Sequence, residues 1–270
     1  PSVTIKKPTE HFNTILYTGN DTDDRTLTGV GFQPDLVWIK PRNTASNNHN
    51  LFDAVRGVSK RLFSNNTSAE YSDSDPNNSL VAFTSDGFTV DDSSGHSDIN
   101  SSSHTYVAWN WKANGSGSAN TDGSINSTVS ANTSAGFSIV TWTGDGSTST
   151  VGHGLGVVPK LYIMKRRDSA NYWWAGTTAV DGSLDFGELD TTAAFGASSL
   201  TVPTSSVFYT DGTQNTNSAT YVAYVFAEVE GFSKFGSYTG NGSSAGPLIH
   251  TGFRPAFVLI KDTTNAIYNW

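Results

Sequence analysis

The sequence predicts an almost all-β protein, made of tandem antiparallel β-sandwich domains of a lectin-like or jelly-roll-like kind. Only 15% of its 270 residues are charged, well below the roughly 25% typical of soluble domains. Its polarity comes instead from Ser, Thr, Asn and Gly, which favour turns and strands over helices. Short apolar runs recur between Gly and Asn turns, and this pattern indicates a β-sandwich, with a β-barrel as the competing closure.

The composition also limits the functions that the chain can have. The net charge is -8 and the pI is about 5.1, whereas nucleic-acid binding requires a positive surface. No run of 18 apolar residues is present, so we expect no membrane insertion. The chain has no Cys, which excludes disulfides, thiol nucleophiles and zinc sites built on Cys.

An internal repeat organises the chain. A Thr-Gly turn is followed by a Pro and then by an apolar strand that ends in Lys. The three copies of this strand are GFQPDLVWIK at 31–40, VVPKLYIMK at 157–165 and GFRPAFVLIK at 252–261. The turn Gly and the strand Pro are 15 positions apart in each copy, namely Gly19 and Pro34, Gly144 and Pro159, and Gly240 and Pro255. Such regular spacing indicates repeated structural units.

The repeat predicts the domain organisation. An N-terminal extension, 1–10, precedes a first sandwich at 11–115, and a Gly/Ser/Asn-rich linker at 116–134 leads to a second sandwich at 135–235. Residues 236–270 are the start of an incomplete third repeat. A strand pair is not stable alone in water, so either the 270 residues are cut from a longer protein, which we favour, or the last strands dock on a neighbour.

The repeated strand is predicted to lie in the centre of a sheet. Residues 36–39 are apolar at both parities, which indicates that both faces of the strand are covered. The Lys at its end, namely Lys40, Lys165 and Lys261, either leaves the core for solvent or contacts a ligand. Asp-Gly at 86–87 and at 211–212 predicts two hairpins, and GVSKRLF at 57–63 suggests a short helical or irregular piece.

Catalytic chemistry has little support in the sequence. Paired carboxylates could form a glycosidase site, but the available ones recur in no motif, and surface charge is the favoured interpretation. These carboxylates are Asp53, Glu70, Asp185, Glu188, Glu228 and Glu230. Asp53 is expected to pair with Arg56 for structural reasons. No His pair has metal-site spacing. Since neither the carboxylates nor the His residues form a catalytic motif, we predict no enzyme activity and no catalytic residue.

Calcium is the single cofactor for which the sequence offers candidates. Oxygen-rich stretches occur at 21–24, 73–78 and 91–98, but none matches an EF-hand loop. The candidate ligands are Asp73, Asp75, Asp91 and Asp92. Solvated turns are the favoured interpretation, so the prediction is that no metal is bound.

Aromatic residues are the best candidates for ligand binding. Sugar sites use aromatic faces beside polar groups, and Tyr172, Trp173 and Trp174 stand in sequence. Successive strand residues face opposite sides, so one of the two Trp should be exposed or covered by another domain. The predicted ligand-binding residues are these three aromatics together with Lys40 and Lys165.

The first repeat resembles a known domain over nearly all of 11–115. The stretches HFNTILYTGN, GVGFQPDLVWIKPRN, NHNLFDAVRG, FTSDGFTV and TYVAWNWKA are similar to a repeated domain of tailed-phage virion structural and tail-fibre-like proteins, notably marine and cyanobacterial ones. The second repeat departs from this pattern at NYWWAGTTA, 171–179. The resemblance implies a virion or extracellular location.

The resemblance implies a non-enzymatic virion protein, a tail-fibre or surface-appendage segment, and we expect it to contribute to attachment to host-surface glycans. We expect a homo-oligomer, with a trimer favoured, in contact with other virion proteins. The alternative is a pair of secreted carbohydrate-binding modules from a polysaccharide-active protein.

Overall fold

The structure of the protein, a computed structural model, describes residue 5 and residues 7–72, 79–91 and 98–270. Strands account for 37% of the chain and helices for 1%, and several antiparallel sheets are present, so the predicted all-β sandwich class is confirmed. The one helical element among the described residues is a 3-10 turn at Pro8–Glu10. None of the helical residues that are described forms a span able to cross a membrane.

Nineteen strands lie in the described ranges. The first nine are β1 Phe12–Thr18, β2 Arg25–Thr28, β3 Leu36–Pro41, β4 Asn50–Asp53, β5 Lys60–Phe63, β6 Tyr71–Ser72, β7 Leu80–Thr84, β8 Gly87–Val90 and β9 Thr105–Trp111. The other ten are β10 Ser118–Asn120, β11 Ser127–Asn132, β12 Phe137–Thr143, β13 Ser149–Gly152, β14 Leu161–Arg166, β15 Trp173–Thr177, β16 Asp185–Glu188, β17 Gly196–Ala197, β18 Val207–Thr210 and β19 Thr220–Phe226.

The strands form two large and two small sheets. The first large sheet has the order β1-β9-β3-β4-β5-β6, and the second has β10-β11-β12-β19-β14-β15-β16-β17. The small sheets are β2-β8-β7 and β13-β18. The run β1-β9-β3-β4-β5 therefore has the same order as β12-β19-β14-β15-β16, and the two repeats share one topology.

Each large sheet packs one face against its small sheet. In the first repeat, Val37 and Ile39 of β3 join Phe88 of β8 in a core that is fully buried. In the second repeat, Tyr162 and Met164 of β14 occupy the equivalent place. The other face of each large sheet is also covered. This explains why the repeated strand is apolar at odd and at even positions.

The repeated strand is central in both repeats. β3 is hydrogen bonded to β9 on one side and to β4 on the other, and β14 lies in the same way between β19 and β15. The prediction of a central strand is therefore confirmed for these two copies. Pro34 and Pro159 precede the ladders, where no backbone donor is needed.

The prediction that residues 116–134 form a flexible linker is wrong. Residues 116–134 contain β10 and β11, and β11 pairs with β12 over its full length. The composition is misleading here because β11 covers the edge of β12 and buries Val129 in the second core. Pairing and burial together outweigh the turn preference of Ser and Asn.

One predicted hairpin forms and the other does not. Asp86 and Gly87 connect β7 to β8, whereas Asp211-Gly212 follows β18 and the next strand, β19, begins only at Thr220. β18 pairs with β13 instead, which places Phe208 opposite Val151, as Phe88 lies opposite Leu27. The polar run after Gly212, TQNTN, has no apolar residue to bury.

The third copy of the strand differs from the first two. Residues 236–270 contain no strand, and Val258 and Ile260 are exposed. The predicted buried strand is therefore wrong here, because the residues that the structure describes include no third set of neighbouring strands. The piece at 57–63 is also extended at its end, since it contains β5.

We predict that the buried side chain of Ile39 contributes strongly to the stability of the first repeat. Ile39→Ala should lower the free energy of unfolding by about 2–5 kcal/mol, because a buried cavity remains. Ile267→Ala is the matched control, since Ile267 is 67% exposed and should change stability by about 0.5 kcal/mol or less. Urea unfolding followed by Trp fluorescence measures both, and equal effects would contradict the assigned core.

Candidate functional site

Two of the predicted ligand-binding residues lie inside the molecule. Trp173 and Lys165 are fully buried. The indole Nε1 of Trp173 donates to the carbonyl of Phe63 at 2.7 Å, and its ring stacks on Tyr224 with centroids 6.3 Å apart. Trp173 is thus covered by the first repeat. The assignment of Trp173 and Lys165 to ligand binding is corrected, because neither offers a surface to solvent.

Trp174 lies on the opposite face of β15 from Trp173, and Tyr172 directly precedes the strand. Trp174 is half-buried and meets Phe186 edge-on at 6.4 Å. Tyr172 is 44% exposed and lies edge-on to Trp174 at 6.3 Å. Of the predicted aromatic set, only these two form a pair within reach of solvent.

The strand-end lysines hold loops rather than point into solvent. Lys40 Nζ donates to the carbonyls of Pro41 and Thr44, both at 2.9 Å. Lys165 Nζ donates to the carbonyl of Asn171 at 2.7 Å and to that of Thr67 at 3.0 Å. Burial lowers the pKa of Lys165 to about 8, against an opposing effect of Asp190. These lysines satisfy backbone carbonyls that would otherwise lack a donor.

The candidate calcium ligands are not assembled by the described residues. Asp73, Asp75 and Asp92 lie outside those residues. Asp91 accepts the backbone N–H of Asp24 at 2.5 Å, and burial, with Asp23 and Asp24 nearby, raises its pKa. In the described ranges no three His, Asp or Glu side chains are grouped for metal binding.

A buried polar cluster lies between the two repeats. Arg56 Nε donates to Asp53 Oδ2 at 2.5 Å, and Arg56 Nη1 donates to Glu70 Oε2 at 3.1 Å. Glu70 in turn accepts from Arg167 Nε and Nη2 at 2.9 and 3.0 Å. Tyr224 Oη donates to Asp53 Oδ2 at 2.8 Å. Arg167 and Tyr224 belong to the second repeat, so this ion network joins the two repeats.

Local structure holds Arg56 in place. Asp53 is the last residue of β4, and its Oδ1 accepts the backbone N–H groups of Val55 and Arg56 at 3.1 and 2.8 Å. The Arg56 side chain also donates to the carbonyl of Leu51 in β4 at 3.1 Å and to that of Lys60 in β5 at 3.2 Å. Its Nη2 donates to Tyr224 Oη at 3.3 Å as well.

The charges of the network offset the cost of burial. Burial by itself lowers the pKa of Arg56, but Asp53, Tyr224 and Glu70 raise it above its usual value. Burial alone would raise the pKa of Glu70, but Arg167 and Arg56 hold it below its usual value. Burial raises the pKa of the Tyr224 hydroxyl, so Tyr224 stays a neutral donor.

Sequence reasoning found part of this network. The Asp53–Arg56 pair was expected from its spacing and is present. Glu70 was considered only as a possible acid or base, and Arg167 and Tyr224 were missed. Their partners are about a hundred residues away or more in sequence, so no local pattern could have found them. Asp53 and Glu70 both bind Arg56, which leaves neither carboxylate free for general acid–base chemistry.

The contacts between the first and second repeats recur between the second repeat and the third copy. Trp173 binds the carbonyl of Phe63, the last residue of β5, and Trp270 binds the carbonyl of Glu188, the last residue of β16, both at 2.7 Å. Lys165 binds the carbonyl of Thr67, four residues after β5. Lys261 binds the carbonyl of Thr192, four residues after β16, at 2.9 Å.

Two backbone hydrogen bonds recur between successive copies in the same way. The backbone N–H of Glu70 donates to the carbonyl of Arg167, two residues after Lys165, at 2.7 Å. The backbone N–H of Phe195 donates to the carbonyl of Thr263, two residues after Lys261, at 3.1 Å. Each copy therefore docks onto the preceding one with a single set of contacts, which we call the copy-to-copy contact.

Comparison with known families gives a match over nearly the whole chain. A family described as a domain of unknown function, DUF7483, matches residues 7–270. No curated protein and no solved structure matches the chain.

We predict that Arg56 and Asp53 act as a coupled pair. Arg56→Met should destabilise the protein by about 3–5 kcal/mol, because it leaves the Asp53 carboxylate buried without its cation. Adding Asp53→Asn should recover part of that loss. Arg42→Met is the control, since Arg42 is exposed. Urea unfolding of the natural protein, both single variants, the double variant and the control measures this coupling, and strictly additive effects of the two substitutions would contradict it.

We predict that Glu70 makes stability depend on pH in the acidic range. A carboxylate with a lowered folded-state pKa stabilises the fold above its unfolded-state pKa, and this is lost as pH falls through the folded value. Glu70→Gln should be less stable than the natural protein at pH 7 by about 1.5–3 kcal/mol. The difference should shrink as Glu70 protonates below its usual pKa of 4.5. A difference that does not change with pH would contradict this assignment.

Proposed function

We propose that this chain, which belongs to the DUF7483 family, is a non-enzymatic structural protein of a phage virion, a tail-fibre or surface-appendage segment. The observation that carries the proposal is the recurrence of the copy-to-copy contact. A contact that links successive copies in one direction suits a protein that builds an extended body from repeated units. The resemblance of the first repeat to phage structural domains supports the same assignment.

Host attachment is the role we assign to the exposed surface. Tyr172 and Trp174 form an aromatic pair near solvent, and aromatic faces are the usual platform for sugar rings. A homo-oligomer, for which a trimer is favoured, would display several such pairs, and multivalency would raise avidity for host-surface glycans. The same aromatic pair would serve the alternative function, a pair of secreted carbohydrate-binding modules.

Mass spectrometry of purified particles tests the virion assignment. We expect the tryptic peptide of residues 43–56, which ends in LFDAVR, in particles purified by density gradient. Its absence from the particles, together with a monomeric state in solution, would overturn the assignment and favour the secreted modules.

A glycan array tests the attachment role. Tyr172→Ala and Trp174→Ala should each weaken binding to host-surface glycans by about tenfold. Tyr268→Ala is the matched control, since Tyr268 is 58% exposed and lies outside the pair. Release of reducing ends from the same glycans would show an enzyme instead.

A further inference from the structure

One face of the second large sheet carries four threonines in a regular grid. These are Thr128 of β11, Thr141 and Thr143 of β12, and Thr220 of β19. Thr128 is the register partner of Thr141, and Thr143 is that of Thr220. Side chains two positions apart on a strand share a face, so all four hydroxyls lie on one surface. Neighbouring strands are about 4.8 Å apart, and the two rows of the grid are about 6.7 Å apart.

The grid lies on the opposite side of the sheet from Trp174. Thr141 is in register with Val222, and Val222 is in register with Lys165. Lys165 is in turn the register partner of Trp173, so the grid shares its face with Trp173. Trp174 is the next residue of β15 and points to the other face. The surface is therefore separate from the aromatic pair that the proposed function uses.

A groove of about 340 Å³ lies over this grid. All four threonines line it, together with Ala119 of β10 and Asn126 directly before β11. Arg167 also lines it, and the backbone N–H of Arg167 donates to the carbonyl of Thr220 at 2.8 Å. The volume lies at the lower end of the roughly 300–1,000 Å³ typical of ligand pockets, so the groove suits a small ligand.

The groove has hydrogen-bonding capacity that the protein itself does not use. Within the described ranges, the hydroxyls of the four threonines make no hydrogen bond. The guanidinium of Arg167 donates to Glu70 through Nε and Nη2, which leaves Nη1 without a partner among the described residues. Threonine side chains are restricted at χ1. The hydroxyls are therefore held in position before a ligand arrives, which lowers the entropic cost of binding.

The charges around the groove are already paired. Glu70 binds Arg167 at 2.9 Å, and Asp168 binds Arg166 at 3.0 Å. The described residues that line the groove include no Asp or Glu, so a cation would find no free carboxylate. An anion would approach Glu70 and a chain of net charge -8. The electrostatics therefore favour a neutral ligand.

We propose that this groove, which we call the threonine groove, binds a neutral saccharide. A threonine hydroxyl both donates and accepts hydrogen bonds, as the hydroxyls of a sugar do. Each threonine also presents a methyl group beside its hydroxyl, which matches the alternation of C–H and O–H groups around a sugar ring. The free Nη1 of Arg167 donates to a further sugar oxygen. The proposal goes beyond the proposed function, which assigns glycan contact to Tyr172 and Trp174.

The first repeat offers a matched comparison for this groove. Thr18 and Thr105 are register partners at the equivalent place, and the backbone N–H of Arg42 donates to the carbonyl of Thr105 at 2.7 Å. Leu16, which is 63% exposed, takes the place that Thr141 has in the second repeat. The four-threonine grid is thus a property of the second repeat, and Thr18 and Thr105 provide controls of the same chemistry.

Calorimetric titration of the full 270-residue protein tests the proposal. The probes are the neutral disaccharides maltose, cellobiose, lactose and mannobiose, with glucuronate as an acidic sugar. We expect at least one disaccharide to bind at one site per chain with a Kd of about 1 mM or below, and glucuronate to bind at least tenfold more weakly. Saturable binding of none of the disaccharides below about 10 mM, or tighter binding of glucuronate, would overturn the proposal.

Variants of the protein locate the bound sugar. Thr143→Val and Thr220→Val each remove one hydroxyl at nearly constant volume and should raise the disaccharide Kd by about fivefold or more, because a sugar hydroxyl loses its partner. Thr18→Val and Thr105→Val are the matched controls and should leave the Kd unchanged, as should Tyr172→Ala. Equal losses in the two threonine pairs would overturn the proposal. A loss with Tyr172→Ala but not with Thr143→Val would also overturn it, and would leave the attachment role of the aromatic pair in place.

Discussion

The buried guanidinium of Arg56 is the group on which the arrangement of the two repeats depends. It binds Asp53 and Glu70, and these carboxylates in turn bind Tyr224 and Arg167 of the second repeat. A charge that is removed from water is tolerated only when all of its hydrogen bonds are made. Apolar surfaces alone would allow several relative placements of the two sandwiches. The network favours the observed one, since a shift would break the hydrogen bonds from Tyr224 to Asp53 and from Arg167 to Glu70.

An aromatic cluster surrounds this network and collects matching residues from all three copies. Phe12 and Trp111 of the first repeat have ring centroids 4.8 Å apart, and the equivalent Phe137 and Phe226 of the second lie 5.0 Å apart. Phe257 of the third copy approaches Trp111 at 5.5 Å. The large sheets therefore have no solvated face here: one side forms a sandwich core and the other forms the junction between copies. This double burial is why the repeated strand is apolar at both parities.

The strand-end lysines and the two matching indoles have one physical role. They donate to backbone carbonyls of their own loop or of the preceding copy. Carbonyls do not depend on side-chain identity, so the same contact can recur where the surrounding residues differ. The Glu70–Arg167 ion pair, by contrast, has no equivalent in the third copy, where Phe195 and Thr263 take those places.

Much of the fold could be predicted from local patterns. β1, β3 and β9 follow from alternation and from Pro at the entry of β3, and the hairpin at Asp86-Gly87 follows from its turn. The hairpin at Asp211-Gly212 does not form, because an Asp-Gly turn needs a second strand able to bury side chains. β11 was not predicted, because its own sequence is polar. It forms because it pairs with the open edge of β12, and nothing in the sequence of β11 reveals that edge.

The candidate site was less accessible to sequence reasoning. Trp173 and Trp174 could be identified as a pair on opposite faces, because strand geometry is a local property. Which of them is covered depends on the position of Phe63, 110 residues earlier.

The sequence by itself determined the all-β class, the repeat and the central position of β3 and β14, because these depend on periodicity and on turn residues. Only the tertiary structure decided that Lys165 and Trp173 are internal, that Arg56 joins the repeats, and that Val258 and Ile260 are exposed. Those outcomes depend on contacts between residues far apart in the chain, whose energies come from burial and pairing that no local pattern encodes.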